Sequence, residues 1–137
     1  MIRVNTDLIE FTDDYVYLLD GKPFTGVGYE TDDDGVIRLE IEFQSGMQHG
    51  ITREFYPTGQ LKREAQYQQN TLDGIVIEWD ETGVLEREEA YERGVCLRRK
   101  ARDLTGQLSV CYELNENDPL FSTLQLLRRV TFNSPPK

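Results

Sequence analysis

The side chains of this chain that could do chemistry are one histidine, two cysteines and 25 carboxylates. His49 comes just before Gly50, in a segment that the surrounding pattern predicts as a hairpin connection. Catalysis by histidine needs a nucleophile and an orienting group within hydrogen-bond reach of the imidazole. No such set accompanies His49. We therefore predict that it is a loop residue, that no residue is catalytic and that the protein is not an enzyme.

The two cysteines, Cys96 and Cys111, are predicted to be free thiols. A two-residue turn at Thr105 and Gly106 would place Cys111 opposite Lys100, four positions from Cys96 along its strand. Four positions span about 13 Å at the usual rise of a strand, and no disulfide bridges that gap. Free thiols fit a reducing compartment. With one histidine and no paired-cysteine spacing, the chain is predicted to hold no metal and no cofactor.

The carboxylates recur at a fixed spacing, as Glu30, Glu54 and Glu78 show. A catalytic acid or base needs a singular environment that shifts its pKa. A carboxylate that occupies one position three times over fits a solvated ladder or a binding ridge on an open sheet. Cross-strand cations such as Arg87 would partly neutralise it.

The same spacing of 24 residues runs through other landmarks. They are Gly26, Gly50 and Gly74, then Gly35, Gly59 and Gly83, then Phe43, Tyr67 and Tyr91. A period of this length indicates stacked supersecondary units, none of which can bury its apolar face alone. Each unit here is predicted to be a strand, a tight turn and a second strand.

The turn of each unit is predicted from one contact. Phe55 and Leu61 are expected to face the same side, which requires a three-residue loop between Tyr56 and Gln60. Such loops end in a left-handed residue, usually glycine. Gly59 takes that position because a Cβ would be penalised there.

Alternation along the strands predicts a sheet with two different faces. Through residue 91, apolar and aromatic residues hold the odd positions and acidic residues hold the even ones. After Gly106, which lies 23 residues beyond Gly83, the apolar residues become even-numbered. One deleted residue explains that change of parity. We predict that a two-residue loop at Thr105 and Gly106 absorbs the deletion.

These units predict a mainly β fold, a single extended and twisted antiparallel meander of about ten strands. Capping residues before Pro119, followed by leucines at helical spacing, predict one short C-terminal α-helix. The repeat domain is predicted over residues 1–132. Its parts are a degenerate unit at 1–21, three units at 22–93, a degenerate fourth unit at 94–115 and the helix at 117–129. Residues 133–137 are predicted to be disordered.

A helix of this length cannot cover a whole sheet face. We expect the rest of the apolar face to be covered by curling of the sheet, by a homodimer or by a partner. Exposed apolar patches usually mark interaction sites.

The charge balance restricts the partners. Fifteen basic and 25 acidic side chains give a net charge of −10. Nucleic acid and anionic membranes are therefore disfavoured, and a basic protein is favoured. No signal peptide and no bilayer-length apolar segment is evident, which predicts a cytoplasmic protein.

The units Gly50–Tyr67 and Gly74–Tyr91 have the form Gly-x-x-x-Glu-aromatic-x-x-x-Gly-x-Leu-x-x-Glu-x-x-aromatic. They resemble MORN repeat variants over residues 20–94. Such arrays are similar to the YwqK-type antitoxins, regarded as immunity proteins of bacterial toxins. The resemblance implies a non-enzymatic antitoxin that binds and neutralises a cognate toxin. The alternative that it implies is a MORN-type scaffold that docks other proteins.

Two sets of residues are the predicted partner-binding sites. A basic toxin would meet the acidic even face, whereas a scaffold partner would meet the aromatic odd face, where aromatic side chains serve as anchors. The acidic residues are Glu30, Glu40, Glu54, Glu64, Glu78 and Glu88. The aromatic residues are Tyr29, Phe55, Trp79, Tyr67 and Tyr91.

Overall fold

The structure is a computed structural model that describes residues 1–130, so the predicted disordered tail at 133–137 lies outside the described residues. The strands are β1 (Arg3–Asn5), β2 (Ile9–Phe11), β3 (Tyr17–Leu19), β4 (Lys22–Pro23), β5 (Gly26–Thr31), β6 (Ile37–Gln44), β7 (Met47–Phe55), β8 (Leu61–Gln68), β9 (Thr71–Trp79), β10 (Leu85–Glu92), β11 (Val95–Arg102) and β12 (Leu108–Glu113). A 3₁₀ turn spans Thr6–Leu8, and helix α1 spans Pro119–Arg128.

Nine of these strands form one long sheet in the order β1, β5, β6, β7, β8, β9, β10, β11, β12. From β5 to β12, each strand pairs antiparallel with the next, which confirms the predicted meander. The sheet is mixed, however, because β1 returns parallel to β5. Strands β2, β3 and β4 form a separate small sheet. The single meander of about ten strands is therefore replaced by nine strands plus a three-stranded sheet.

The small sheet packs against the start of the long one through aromatic rings. Tyr17 of β3 lies with its ring centroid 4.9 Å from that of Phe43 and 4.5 Å from that of Phe11. Phe24 and Phe43 are almost fully buried. The Tyr17 N–H also donates to the Gly46 carbonyl at 2.7 Å. This aromatic cluster is a local core that fastens the N-terminal segment to the first hairpin.

The predicted three-residue loop is confirmed. The Tyr56 N–H donates to the Gln60 carbonyl, and the Gly59 N–H donates to the Tyr56 carbonyl, both at 2.8 Å. Phe55 of β7 opposes Leu61 of β8, whereas its neighbour Glu54 opposes Arg63. Strand β8 therefore holds one extra residue, Lys62, in a β-bulge. Beyond that bulge, even-numbered residues of one strand oppose odd-numbered residues of the next.

This bulge makes the predicted odd and even faces wrong. Directly opposed residues of neighbouring strands point to the same side of a sheet. One row across the sheet contains Thr52, Ala65, Val76 and Glu89. We call this side the Ala65 face. The residues between them, Arg53, Glu64, Ile77 and Glu88, form a row on the opposite side, which also carries Trp79. We call that side the Trp79 face.

The deleted residue of the fourth unit lies in a different place from the one predicted. The last loop still has three residues, because the Asp103 N–H donates to the Gln107 carbonyl at 2.8 Å. Strand β7 has a bulge of two extra residues relative to β6 around Gly50, and β9 has the same bulge relative to β8 around Gly74. At the corresponding place, the bulge of β11 relative to β10 has only one extra residue. The bulge of β11 therefore absorbs the deletion. As a consequence, Val110 opposes Lys100, in place of Cys111.

The predicted C-terminal helix is confirmed. Its first N–H groups are capped by Asp118, whose Oδ1 accepts from the Leu120 N–H at 2.9 Å. Leu124 is almost fully buried, and Arg128 pairs with Glu92 at the end of β10 at 2.8 Å. The helix is thus held against the last strands of the sheet. None of the helices in residues 1–130 has the length and hydropathy to cross a bilayer.

Candidate functional site

A ladder of alternating charges crosses the Ala65 face. Arg63 lies 3.4 Å from Glu54 and 3.9 Å from Glu78, and Arg87 lies 3.4 Å from Glu78. The four residues come from four consecutive strands, because each opposes the next in the register. Two carboxylates of the predicted ridge are therefore already paired with guanidinium groups on the same face.

The six predicted acidic residues do not share one face. Glu30, Glu54 and Glu78 lie on the Ala65 face. Glu40, Glu64 and Glu88 lie on the Trp79 face. Four of the six are in ion pairs, since Glu40 also contacts Arg3 and Glu64 contacts Arg53. Within residues 1–130, only Glu30 and Glu88 of this set have no ion pair. Their role in partner binding stays a prediction, but a continuous acidic ridge is absent from the described sheet.

The predicted aromatic face is divided in the same way, and for the same reason. Tyr67 and Tyr91 lie on the Ala65 face, opposite Gly50 and Gly74. Tyr29, Phe55 and Trp79 lie on the Trp79 face.

Part of the aromatic set does form a compact apolar group at the hairpin tips. Phe55 opposes Leu61 and Trp79 opposes Leu85, all on the Trp79 face. Leu61 and Trp79 also line a shallow cavity together. This hairpin-tip group, Phe55, Leu61, Trp79 and Leu85, is the aromatic surface that the structure retains.

A second cavity, of about 220 Å³, lies between the hairpins β7–β8 and β9–β10. Its lining residues are Tyr56, Lys62, Glu78, Trp79, Glu86 and Arg87. The Tyr56 hydroxyl donates to the Trp79 carbonyl at 2.7 Å, which fixes the ring across the two hairpins. The Lys62 ammonium lies over the Tyr56 ring, 5.7 Å from its centroid. We call this site the Tyr56 cavity.

The lining of the Tyr56 cavity carries two carboxylates, Glu78 and Glu86, and two cations, Lys62 and Arg87. Desolvation raises the pKa of the Tyr56 phenol above its usual value, and the carboxylates of Glu86, Glu81, Asp80 and Glu78 raise it further. The phenol is therefore neutral at physiological pH.

Sequence reasoning missed the Tyr56 cavity, although a signal was present. Tyr56 and Lys62 are replaced, one period later, by Asp80 and Glu86. This change of residue type at repeated positions makes the junction between the two hairpins unlike the others. A comparison of the units for their differences, in addition to their landmarks, would have found it.

A polar network replaces apolar residues near the end of the Ala65 row. Glu89, at the position of Ala65 one period earlier, is 7% exposed and accepts from Arg99 at 2.7 Å. The Tyr91 hydroxyl donates to the same carboxylate at 3.1 Å. Desolvation and the neighbouring Glu89 charge raise the pKa of the Tyr91 phenol. The network holds β10 and β11 together by charge where the preceding strands use Ala65 and Val76.

The prediction that His49 lies in a hairpin connection is wrong. His49 lies inside strand β7, at the two-residue bulge around Gly50. Its Nδ1 is buried and has no hydrogen-bond partner in the described chain. It lines a shallow cavity with Tyr67 and Asp73. No serine, threonine or cysteine is among the lining residues. Across residues 1–130, no three histidine, cysteine or acidic side chains are grouped so that they could hold a metal ion.

The comparison with known protein families agrees with this architecture. Residues 48–69 and 72–93 match the MORN repeat variant family. These two MORN-variant segments contain the hairpins β7–β8 and β9–β10, on which both the charge ladder and the Tyr56 cavity are built. MORN repeats are a non-catalytic module that provides a protein-binding scaffold. Neither the curated proteins nor the solved structures compared with the chain include a match.

Proposed function

We propose that this chain is a non-enzymatic protein-binding module whose partner is a basic protein, and that the partner is a bacterial toxin that the chain neutralises. The observation that carries the proposal is where the negative charge lies. The first 93 residues hold 21 of the 25 acidic side chains and eight of the 15 basic ones. An excess of this size attracts a basic protein and speeds its association.

The structure changes which carboxylates a basic partner would meet. Glu54 and Glu78 are partly neutralised by the ladder. Glu30 and Glu88 have no ion pair within residues 1–130, and Glu86 faces the Tyr56 cavity. One continuous acidic ridge is therefore not part of the proposal. Separate acidic positions around the MORN-variant hairpins take its place.

The experiment has two stages. The tagged chain is first used to capture proteins from a lysate of its native host at low and at moderate salt. A captured protein is then expressed alone and together with this chain. The proposal expects a basic protein that is released as the salt concentration rises, that stops growth when expressed alone and that is tolerated in the presence of the chain. If the captured protein has no effect on growth, the proposal that the partner is a toxin is refuted, whereas the proposal that the chain binds a protein is kept.

A second candidate function is a scaffold that docks a partner by apolar contact. The observation that favours it is the hairpin-tip group on the Trp79 face. Under this proposal, Trp79→Ala weakens binding, and added salt has little effect. Binding that is abolished by salt and insensitive to Trp79→Ala would exclude the scaffold and favour the charged partner.

A further inference from the structure

The Tyr56 cavity combines a fixed aromatic wall with carboxylates in its lining. Tyr56 is held in place by its hydrogen bond to the Trp79 carbonyl across the two hairpins. Glu78 and Glu86 contribute carboxylates to the lining. An aromatic face flanked by carboxylates favours a cation, which is attracted both by the ring quadrupole and by the negative charges.

The chain itself shows what such a site accepts. The Lys62 ammonium lies over the Tyr56 ring in this cavity, 5.7 Å from the centroid. Lys62 is exposed and has no ion pair within residues 1–130. Its side chain is therefore held only weakly, and a long, flexible lysine can leave such a position at small cost.

The charges of the cavity lining balance only while Lys62 is in place. Arg87 is paired with Glu78, and Asp80 is paired with Arg102. Glu86 has no ion pair within the described residues. With Lys62 displaced, the carboxylate of Glu86 and the Tyr56 ring remain for an incoming cation.

From this geometry we propose that the Tyr56 cavity is the receptor for a single lysine or arginine side chain of a protein partner, and that Lys62 occupies it in the free protein. The inference rests on the proposed function, since it names the part of a basic partner that the repeat surface recognises. Glu86 supplies the opposite charge, Tyr56 supplies the aromatic face, and Lys62 competes with the ligand.

The test uses short blocked peptides as probes and the whole chain as the receptor. Ac-Gly-Arg-Gly-NH₂ and Ac-Gly-Lys-Gly-NH₂ are titrated into isotope-labelled protein, with Ac-Gly-Gln-Gly-NH₂ as the uncharged control. Amide and Trp79 indole shifts are followed by NMR. We expect weak, saturable binding of both cationic peptides, with shifts grouped at Tyr56, Trp79 and Glu86. The glutamine peptide should produce none of these shifts.

Two variants and one control make the result specific. Glu86→Gln should weaken binding about two- to fivefold, the effect of losing one charge pair at a partly open site. Lys62→Met should strengthen binding, because it removes the competing cation. Glu116→Gln, which removes an exposed carboxylate outside the cavity lining and outside the predicted partner-binding residues, should leave the affinity unchanged.

The proposal is overturned if the cationic peptides shift no cavity residue, if the glutamine peptide binds as well, or if Glu86→Gln and Glu116→Gln have the same effect. These outcomes are separate from the fate of the proposed function. If the chain captures a basic protein from the host but does not bind the peptides, the cavity proposal is refuted and the proposed function is supported. If the chain binds the peptides but captures no basic protein, the cavity proposal is supported and the proposed function is refuted.

Discussion

Replacement of Gly74 by alanine is expected to destabilise the protein by about 2–4 kcal/mol. Gly74 lies in the bulge of β9 with φ at +118°, a conformation that L residues rarely adopt. Holding a residue with a Cβ in such a region costs about 1–3 kcal/mol. An added Cβ would also overlap Gln66 Oε1.

The second part of the cost comes from the hydrogen bond that Gln66 makes. Its Oε1 accepts from the Ile75 N–H at 2.8 Å. Alanine at 74 would push the Gln66 side chain away, and loss of that bond costs about 0.5–1.5 kcal/mol. The same device occurs one period earlier, where Glu42 accepts from the Ile51 N–H beside Gly50. The fourth unit has Ala90 and Arg98 at the corresponding positions, and its bulge is one residue shorter.

Urea unfolding followed by circular dichroism measures the effect. Gly83→Ala is the matched control, because Gly83 also has a positive φ, +87°, but nothing lies within 4 Å of an added Cβ. We expect Gly83→Ala to cost about 1–2 kcal/mol from the backbone alone. In a Gln66→Ala background, the cost of Gly74→Ala should fall towards the backbone contribution. If Gly74→Ala costs no more than Gly83→Ala, or is unaffected by Gln66→Ala, then the reasoning about the bulge is refuted.

Three further predictions concern charged residues. Arg63→Gln should cost at most about 1 kcal/mol and should cost less at high salt, because both ion pairs that Arg63 makes are partly exposed. Urea unfolding at two salt concentrations measures this. Arg99→Met should lower the free energy of unfolding by roughly 2 kcal/mol, because it leaves the buried Glu89 carboxylate without its ion pair. Adding Glu89→Ala should recover part of that stability, and an unchanged loss in the double variant would contradict the pairing. The pKa of Asp80 is lowered from 3.8 to about 2, mainly by the Thr82 hydroxyl. Its stabilising effect is therefore present above about pH 4 and is lost as the pH falls towards 2, so the stability gap between the wild type and Asp80→Asn should close over that range.

The positions of the turns and of the helix follow from local residue chemistry. The loop that ends at Gly59 depends on a left-handed conformation that glycine adopts without a steric penalty. The helix begins at Pro119 because Asp118 caps its first N–H groups. The 24-residue period repeats the hairpin chemistry, so the strands of the meander could be predicted from the sequence alone.

The faces of the sheet could not be predicted from alternation alone. Alternation assigns a side chain to a face only while the strand is regular, and each bulge of one residue reverses the parity. Whether Glu54 and Arg63 lie on the same face depends on the register between two strands, which is a property of cross-strand pairing. The predicted acidic and aromatic faces were wrong for this reason, although every residue in them lies in a strand of the sheet.

What the sequence by itself determined is therefore the list of elements: hairpins at a constant period, three-residue loops that end in glycine, and one capped helix. The tertiary structure decided which side chains meet. It decided that β1 pairs parallel with β5, that the deletion falls in the bulge of β11, and that Tyr56 and Glu86 line one cavity. The physical reason is that turns and caps are stabilised by neighbours in the chain, whereas faces and cavities arise from contacts between residues far apart in sequence, whose register the local pattern does not contain.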